Sequence, residues 1–270
     1  MKENTRATTR GGGSDSAPVE AVDRAARVLY ALAARPVPST LAEIAARAEL
    51  TKPTAFRILS TLIAEGMAAQ NAQTGAYRLG AEPLRLAANV LLDIPVREHA
   101  LPAMRGIRDS IKETVVLSLR NGDFRYNVDS VEAENAIGQA QQIGVPIPLY
   151  AGAASRVLLA GMESEELLAY LDRTTFARYS DTTIIDQPGL LAELGKVREI
   201  GYAVSNGEFT AAGHAVARAI SDSSGRAIAA LHVSVPRSRF SPTVEARSVA
   251  ALTTAVEAIE AAMASARPAG

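Results

Sequence analysis

A chain of 270 residues, 48% hydrophobic and without a single cysteine, is comfortable for two domains and has no means of building a disulfide framework, a thiol nucleophile or a cysteine zinc site. The net charge of −1 is unevenly spread: residues 1–85 hold 11 Lys and Arg against 8 Asp and Glu, a net of +3, leaving 17 against 21, or −4, for the remainder. The basic end is therefore the one to search for a nucleic-acid partner.

The opening MKENTRATTRGGGSDSA, residues 1–17, has no apolar core of signal-peptide length and reads as a mobile arm, whose Lys2, Arg6 and Arg10 either touch phosphate or are simply solvated. No later stretch reaches membrane-span length without charges or turn residues, so a cytoplasmic protein with no membrane partner is expected. Residues 19–35 carry Val22, Ala26, Leu29 and Leu32 at helical spacing, and Pro36 and Pro38 stop that helix. In LAEIAARAEL, Leu41, Ile44 and Ala45 share a helical face and a short break follows at Ala48 and Glu49. Thr51 is placed to cap a further helix with Pro53 in its first turn; Ile58, Leu59 and Leu62 form its buried face. Lys52, Thr54, Phe56 and Arg57 are left to point outward, a short, positive set suited to a major groove. After Gly66 the pattern MAAQ, NAQTG, AYRLG predicts strand, turn and strand, a wing that would bring Arg78 near phosphate. Periodicity alone also allows a three-helix unit whose hairpin serves protein contacts.

Residues 83–112 turn helical again and are divided by Pro95, giving a linker helix and then the opening helix of a second domain. Val115 to Leu119 and Phe124 to Ser130 flank Asn121 and Gly122, a hairpin signal. Residues 144–149 are extended; 154–160, 164–171 and 187–200 are helical, the last closed by Gly201. A strand ends at Val204, residues 216–221 and 227–235 form a second hairpin, and 243–266 make a long Ala-rich helix. Strands in the middle and helices at both ends define an α+β domain.

The runs VDRAARVLYAL, LAEIAARAEL, TKPTAFRILSTL, AEGMA and YRLG together resemble the winged helix-turn-helix of the IclR family of bacterial transcriptional regulators. The segments ETVVLSLRNGDFRYNVDSVE, VPIPLYAGAASRVLLA, VREIGYAVSNGE and SDSSGRAIAALHVSVP follow in the order of that family's effector domain, so the resemblance covers residues 19–266. It implies an α+β protein with a winged helix-turn-helix over residues 18–80, a linker helix over 81–95 and a GAF-like effector-binding domain over 96–270. It also implies a double-stranded DNA operator of pseudo-palindromic sequence, self-association as a dimer or tetramer, and a small-molecule effector, an organic acid or aromatic compound. No cofactor or metal is expected.

Within the second domain the resemblance directs attention to three places. Tyr150, Ala151, Gly152, Ala153 and Ala154 open a helix, where backbone N–H groups can meet a carboxylate or where small residues merely allow close packing against the sheet. Asn206 and Glu208 stand where the family pattern is acidic and faces ligand. His232 and Ser234 project from one face of ALHVSV while Val233 and Val235 occupy the other. His232 replaces a usual serine, and is either a ligand contact or a satisfied core residue. AAGHAVARAI departs from a block that commonly holds Cys and Pro, leaving Arg218 as an effector counter-ion or an edge-strand charge. An enzyme assembled from Ser155, Ser205, Glu208, His214 and His232 is the competing class, but no nucleophile-elbow, Walker, HExxH or dinucleotide pattern accompanies them.

Overall fold

The computed structural model describes residues 19–34, 37–134 and 142–266; the N-terminal arm at residues 1–17 lies outside them. The chain falls into two compact units that divide between Asp93 and Ile94.

The first unit is built from α1 (Glu20–Ala33), α2 (Leu41–Arg47), α3 (Lys52–Ala64), the strands β1 (Ala68–Gln70) and β2 (Tyr77–Leu79), and α4 (Glu82–Leu92). Thr40 and Glu43 form a reciprocal capping box that starts α2. The Thr51 side chain accepts the Thr54 N–H to start α3, whose Ala55, Leu59 and Leu62 are buried. Leu59 and Leu62 pack with Val28, Leu32 and Ile44 in one apolar cluster that fixes α3 on its two partner helices. The turn of the hairpin is organised by Asn71, whose Oδ1 accepts from the N–H groups of Gln73 and Thr74. A backbone bridge between Ser39 and Tyr77 then joins the segment before α2 to the hairpin.

The second unit contains α5 (Pro95–Ile111), β3 (Thr114–Asn121), β4 (Phe124–Val131), β5 (Pro146–Pro148), α6 (Ala153–Ala160), α7 (Ser164–Arg173), α8 (Gln187–Ile200), β6 (Ala203–Asn206), β7 (Gly213–Ser221), β8 (Ala227–Pro236) and α9 (Pro242–Ser265). The strands form one antiparallel sheet in the order β5-β4-β3-β8-β7-β6. The unit is an α+β layer structure because strand alternation sends two different residue sets to opposite faces. Leu117, Val216, Leu231 and Val233 meet α5 and α9 in one core; Ala203, Ala217 and Ala230 meet α6, α7 and α8 in the other. A bulge interrupts the β3–β4 pairing, with Leu117 opposite Asp129 but Ser118 opposite Asn127.

Two expectations need correction. β6 continues past Val204 to Asn206, because Ser205 and Asn206 stay paired with Ala215 and His214. Arg218 is not an edge-strand charge: β7 is flanked by β6 and β8, and the Arg218 guanidinium donates to Thr253 Oγ1 of α9 at 3.1 Å, on the face opposite His232.

Gly80 closes the wing. A Cβ there would stand 2.0 Å from the carbonyl oxygen of Gly66, and backbone on both sides leaves it nowhere to move. Gly80→Ala is expected to lower stability by about 1–3 kcal/mol, the usual cost of overpacking, read as a shift in the urea-unfolding midpoint of the first unit. An unshifted midpoint would show that the hairpin is free to open there.

Candidate functional site

On α3 the burial of Ala55, Leu59 and Leu62 turns the other side of the helix to solvent. Lys52 and Arg57 are exposed, and among the described residues neither has an acidic partner. Phe56 lies 53% exposed between them, an apolar side chain on an otherwise polar face. Thr54 is half-buried, with its Oγ1 2.8 Å from that of Thr51, so its hydroxyl is shared with the cap. Arg78 is exposed on β2, paired with Ala69, its guanidinium reaching no further than the Leu79 carbonyl at 3.5 Å. Ser60 and Thr61, overlooked in the sequence, continue the outward face but bond back to the carbonyls of Phe56 and Arg57. The face is a cationic surface on a helix, with no carboxylate paired to it among the described residues.

In the second unit, Tyr150, Ala151, Gly152 and Ala153 enter α6 beneath the sheet. Tyr150 is buried; its hydroxyl accepts from Ala177 N–H at 2.9 Å, and its ring packs 4.9 Å from that of Phe176. Burial raises its ionisation above the ordinary tyrosine range. Ala151 and Ala153 are in the core, where their size lets α6 approach the strands. The Gly152 N–H, the group at the helix start available to an anion, donates to Glu208 Oε2 at 3.1 Å. Glu208 therefore occupies the position in which a ligand carboxylate was expected. The same oxygen accepts from the buried guanidinium of Arg156, which also donates to the Val204 carbonyl. Thr183 and Ser180 hydroxyls donate to the Glu208 backbone carbonyl at 2.7 and 3.2 Å.

His232 and Ser234 are buried on the α6 face, His232 flanked by Val116 and Ala217 and Ser234 by Thr114 and Ala215. Asn206 does not join them. Its neighbour across the ladder is His214, next to Val235, and Val235 belongs to the α5 and α9 core; Ser205, opposite Ala215, is the β6 residue on the His232 side. Sequence reasoning missed a polar group beside His232. Arg125 Nε donates to Ser155 Oγ at 2.9 Å, and its Nη1 donates to Asn127 Oδ1 at 2.6 Å and Ser118 Oγ at 3.2 Å. The available signal was an Arg and an Asn at alternate positions of the strand FRYNV. Burial without an acid pulls the Arg125 guanidinium down to about 10. Two surface hollows, one of about 360 Å³ beside α9 and one of about 240 Å³ near Glu163 and Arg226, involve none of these residues.

Profiles described as the IclR helix-turn-helix domain and as the bacterial transcriptional regulator IclR C-terminal match residues 21–72 and 88–261. The chain belongs to the IclR family. It is 29% identical over 241 residues to the HTH-type transcriptional repressor AllR of Escherichia coli (strain K12), across 87% of this chain and 89% of AllR. An IclR transcriptional regulator from Alicyclobacillus acidocaldarius shares 29% identity with a TM-score of 0.78, over 91% of this chain and 99% of that one. An IclR homolog from Microbacterium hydrocarbonoxydans, solved in complex with 4-hydroxybenzoate, has the same fold at 23% identity and a TM-score of 0.77, over 91% of this chain and all of that one. The chain is thus an IclR-type transcriptional regulator: the first unit holds its DNA-binding helix-turn-helix and the second its ligand-binding domain. No helix among the described residues is long and apolar enough to cross a membrane.

The buried histidine makes stability of this IclR regulator depend on pH. Burial, and then the Arg125 charge, hold His232 well below the ordinary histidine value. The folded chain keeps it neutral while the unfolded chain takes up a proton as pH falls through about 6.5, so folding loses up to about 1.4 kcal/mol per pH unit below that point. His214, lowered by burial and then by Arg237, acts in the same direction. In urea unfolding, His232→Gln should flatten the fall between about pH 6.5 and 5.5 by roughly 1 kcal/mol and leave the profile above pH 7 unchanged. A variant as acid-sensitive as the parent would place His232 in contact with solvent.

Proposed function

We propose that the protein is a ligand-responsive regulator that binds a pseudo-palindromic operator as a symmetric dimer or tetramer and is switched by a small metabolite held in its second unit. The observation that carries the DNA half is the pair of exposed cations, Lys52 and Arg57, on the outward side of α3, with no acid set against them among the described residues. In this reading Arg57 contacts a base edge or a firmly held phosphate, Lys52 and Thr54 hold the backbone, Phe56 meets a thymine methyl group, and Arg78 on the wing adds sequence-independent attraction. One such helix spans too few base pairs for genomic specificity, which favours two copies on a two-fold site.

Support for self-association comes from α4. It buries none of its residues in the first unit, and Leu84, Val90 and Leu92 are 74%, 64% and 78% exposed. Apolar side chains in such number on one exposed helix favour a protein partner, and a second copy satisfies them by symmetry. For the effector, support comes from Ser234 and His232 on the α6 face, with Tyr150, Ala151, Gly152, Ala153 and Glu208 at the start of α6, where a ligand would alter the sheet–helix contact. The cellular compartment that follows from this role is the cytoplasm.

Arg57→Ala should weaken operator binding by about 1–3 kcal/mol with the fold retained, measured by fluorescence anisotropy on the DNA upstream of the protein's own gene. Wild-type affinity and an unchanged salt dependence would remove Arg57 from the interface. The doubly substituted Leu84→Glu, Val90→Glu protein should sediment as a smaller species than the parent at micromolar concentration. A parent that is already monomeric there would contradict the symmetric mechanism.

A further inference from the structure

The buried cation of the second unit has a geometry that its own fold does not use up. Arg125 is 7% exposed, yet it touches no carboxylate among the described residues, and residues 135–141, outside that set, contain no Asp or Glu. A guanidinium offers five N–H groups. One donates to Ser155 and two to Asn127 and Ser118, all neutral acceptors. The acceptors are themselves tied down: Ser155 donates to the Pro148 carbonyl at 3.1 Å, Ser118 to Asn127 Oδ1 at 2.9 Å, and Asn127 to the Gln142 carbonyl at 3.2 Å. The guanidinium is thus oriented by a fixed polar frame while its charge is left uncompensated, an arrangement that is costly unless an anion completes it.

We propose that Arg125 is the charge-recognising end of the effector site between the sheet and α6, selective for an acid with a single carboxylate and a hydroxyl or carbonyl oxygen close to it. This deepens the regulator reading and rests on it. The preference for one carboxylate follows from the charges facing the site. Arg156 is neutralised by Glu208, Asp129 is paired with Arg97 on the far side of the sheet, and His232 is neutral, so a surplus of one positive charge remains. A second carboxylate would be buried without a counter-ion. The requirement for a neutral oxygen follows from His232. It lies on β8 one strand beyond Ser118 on the same face, and its Nδ1 is buried without a hydrogen-bond partner. Ala217 and Ala230 beside it keep the floor of the site short.

The test is the melting temperature of the full chain in sodium salts of lactate, 2-oxobutyrate, 4-hydroxybenzoate and malate, with lactamide and 4-hydroxybenzamide as uncharged counterparts, each at about 10 mM. At least one monocarboxylate is expected to raise Tm by about 5 °C, its amide and the dicarboxylate much less, and Arg125→Met to abolish the rise. Should Arg125→Met melt too early to read, Arg125→Lys keeps the charge without the fork and is expected to retain a smaller, still carboxylate-dependent rise. A rise that survives in Arg125→Met, an equal rise with the amides, or no rise with any monocarboxylate overturns the proposal. Operator binding by the wild type is measured in parallel. Its failure beside an intact carboxylate response refutes the regulator reading and spares the site, and the converse result refutes the site alone.

Discussion

Two opposite charges sealed inside a protein are tolerable only while each keeps the other, and in the second unit Arg156 and Glu208 stand in that relation. Removing either would leave an unpaired buried charge, a loss of about 3–5 kcal/mol in comparable pairs. The pair also fixes geometry. Through Glu208 it joins the first N–H of α6 to the turn after β6, through the Val204 carbonyl it reaches β6 itself, and through Thr183 and Ser180 it draws in the loop before α8. These bonds tie the start of α6 to β6 and to the turn that follows it.

The two faces of the sheet divide the work. Toward α5 and α9 it is lined chiefly by Leu117, Val216, Leu231 and Val233, branched side chains that fill their volume, its polar groups engaged in the Asp129–Arg97 and Arg218–Thr253 contacts. Toward α6 it is lined by alanines and by Ser118, Asn127, Arg125, His232 and Ser234, a surface whose polar groups need partners. One face is therefore mainly apolar packing and the other carries a buried polar network, an arrangement open to any sheet whose alternation is kept.

Much of this was legible in the residues. Thr51 announced the start of α3 because capping is local chemistry, and Asn121 with Gly122 announced the β3–β4 hairpin of the second unit for the same reason. His232 and Ser234 were placed on one face by a period of two, which needs no tertiary knowledge. What could not be read depends on residues far apart. The Arg156–Glu208 pair spans 52 positions, and without it Glu208 looked like a ligand contact. Asn206 was joined to Glu208 because the strand was ended at Val204, two residues early, and its facing follows from the ladder with β7. Arg218 was offered as an edge-strand charge, but β7 is an inner strand and the Thr253 partner of Arg218 lies on α9.

Arg125 escaped notice for another reason, and it returns to the bulge between β3 and β4. Odd-numbered Asp129 pairs with Arg97 on α5, yet odd-numbered Asn127 and Arg125 point to the opposite face, because Val128 is the extra residue that resets the alternation. In an unbroken strand the guanidinium and its amide neighbour would lie against α5 and the tyrosine between them against α6. The polarity of this face is therefore written in the parity of a residue count as much as in the choice of side chains. An insertion or deletion of one position in this strand can exchange a charged face for an aromatic one without any substitution on that face.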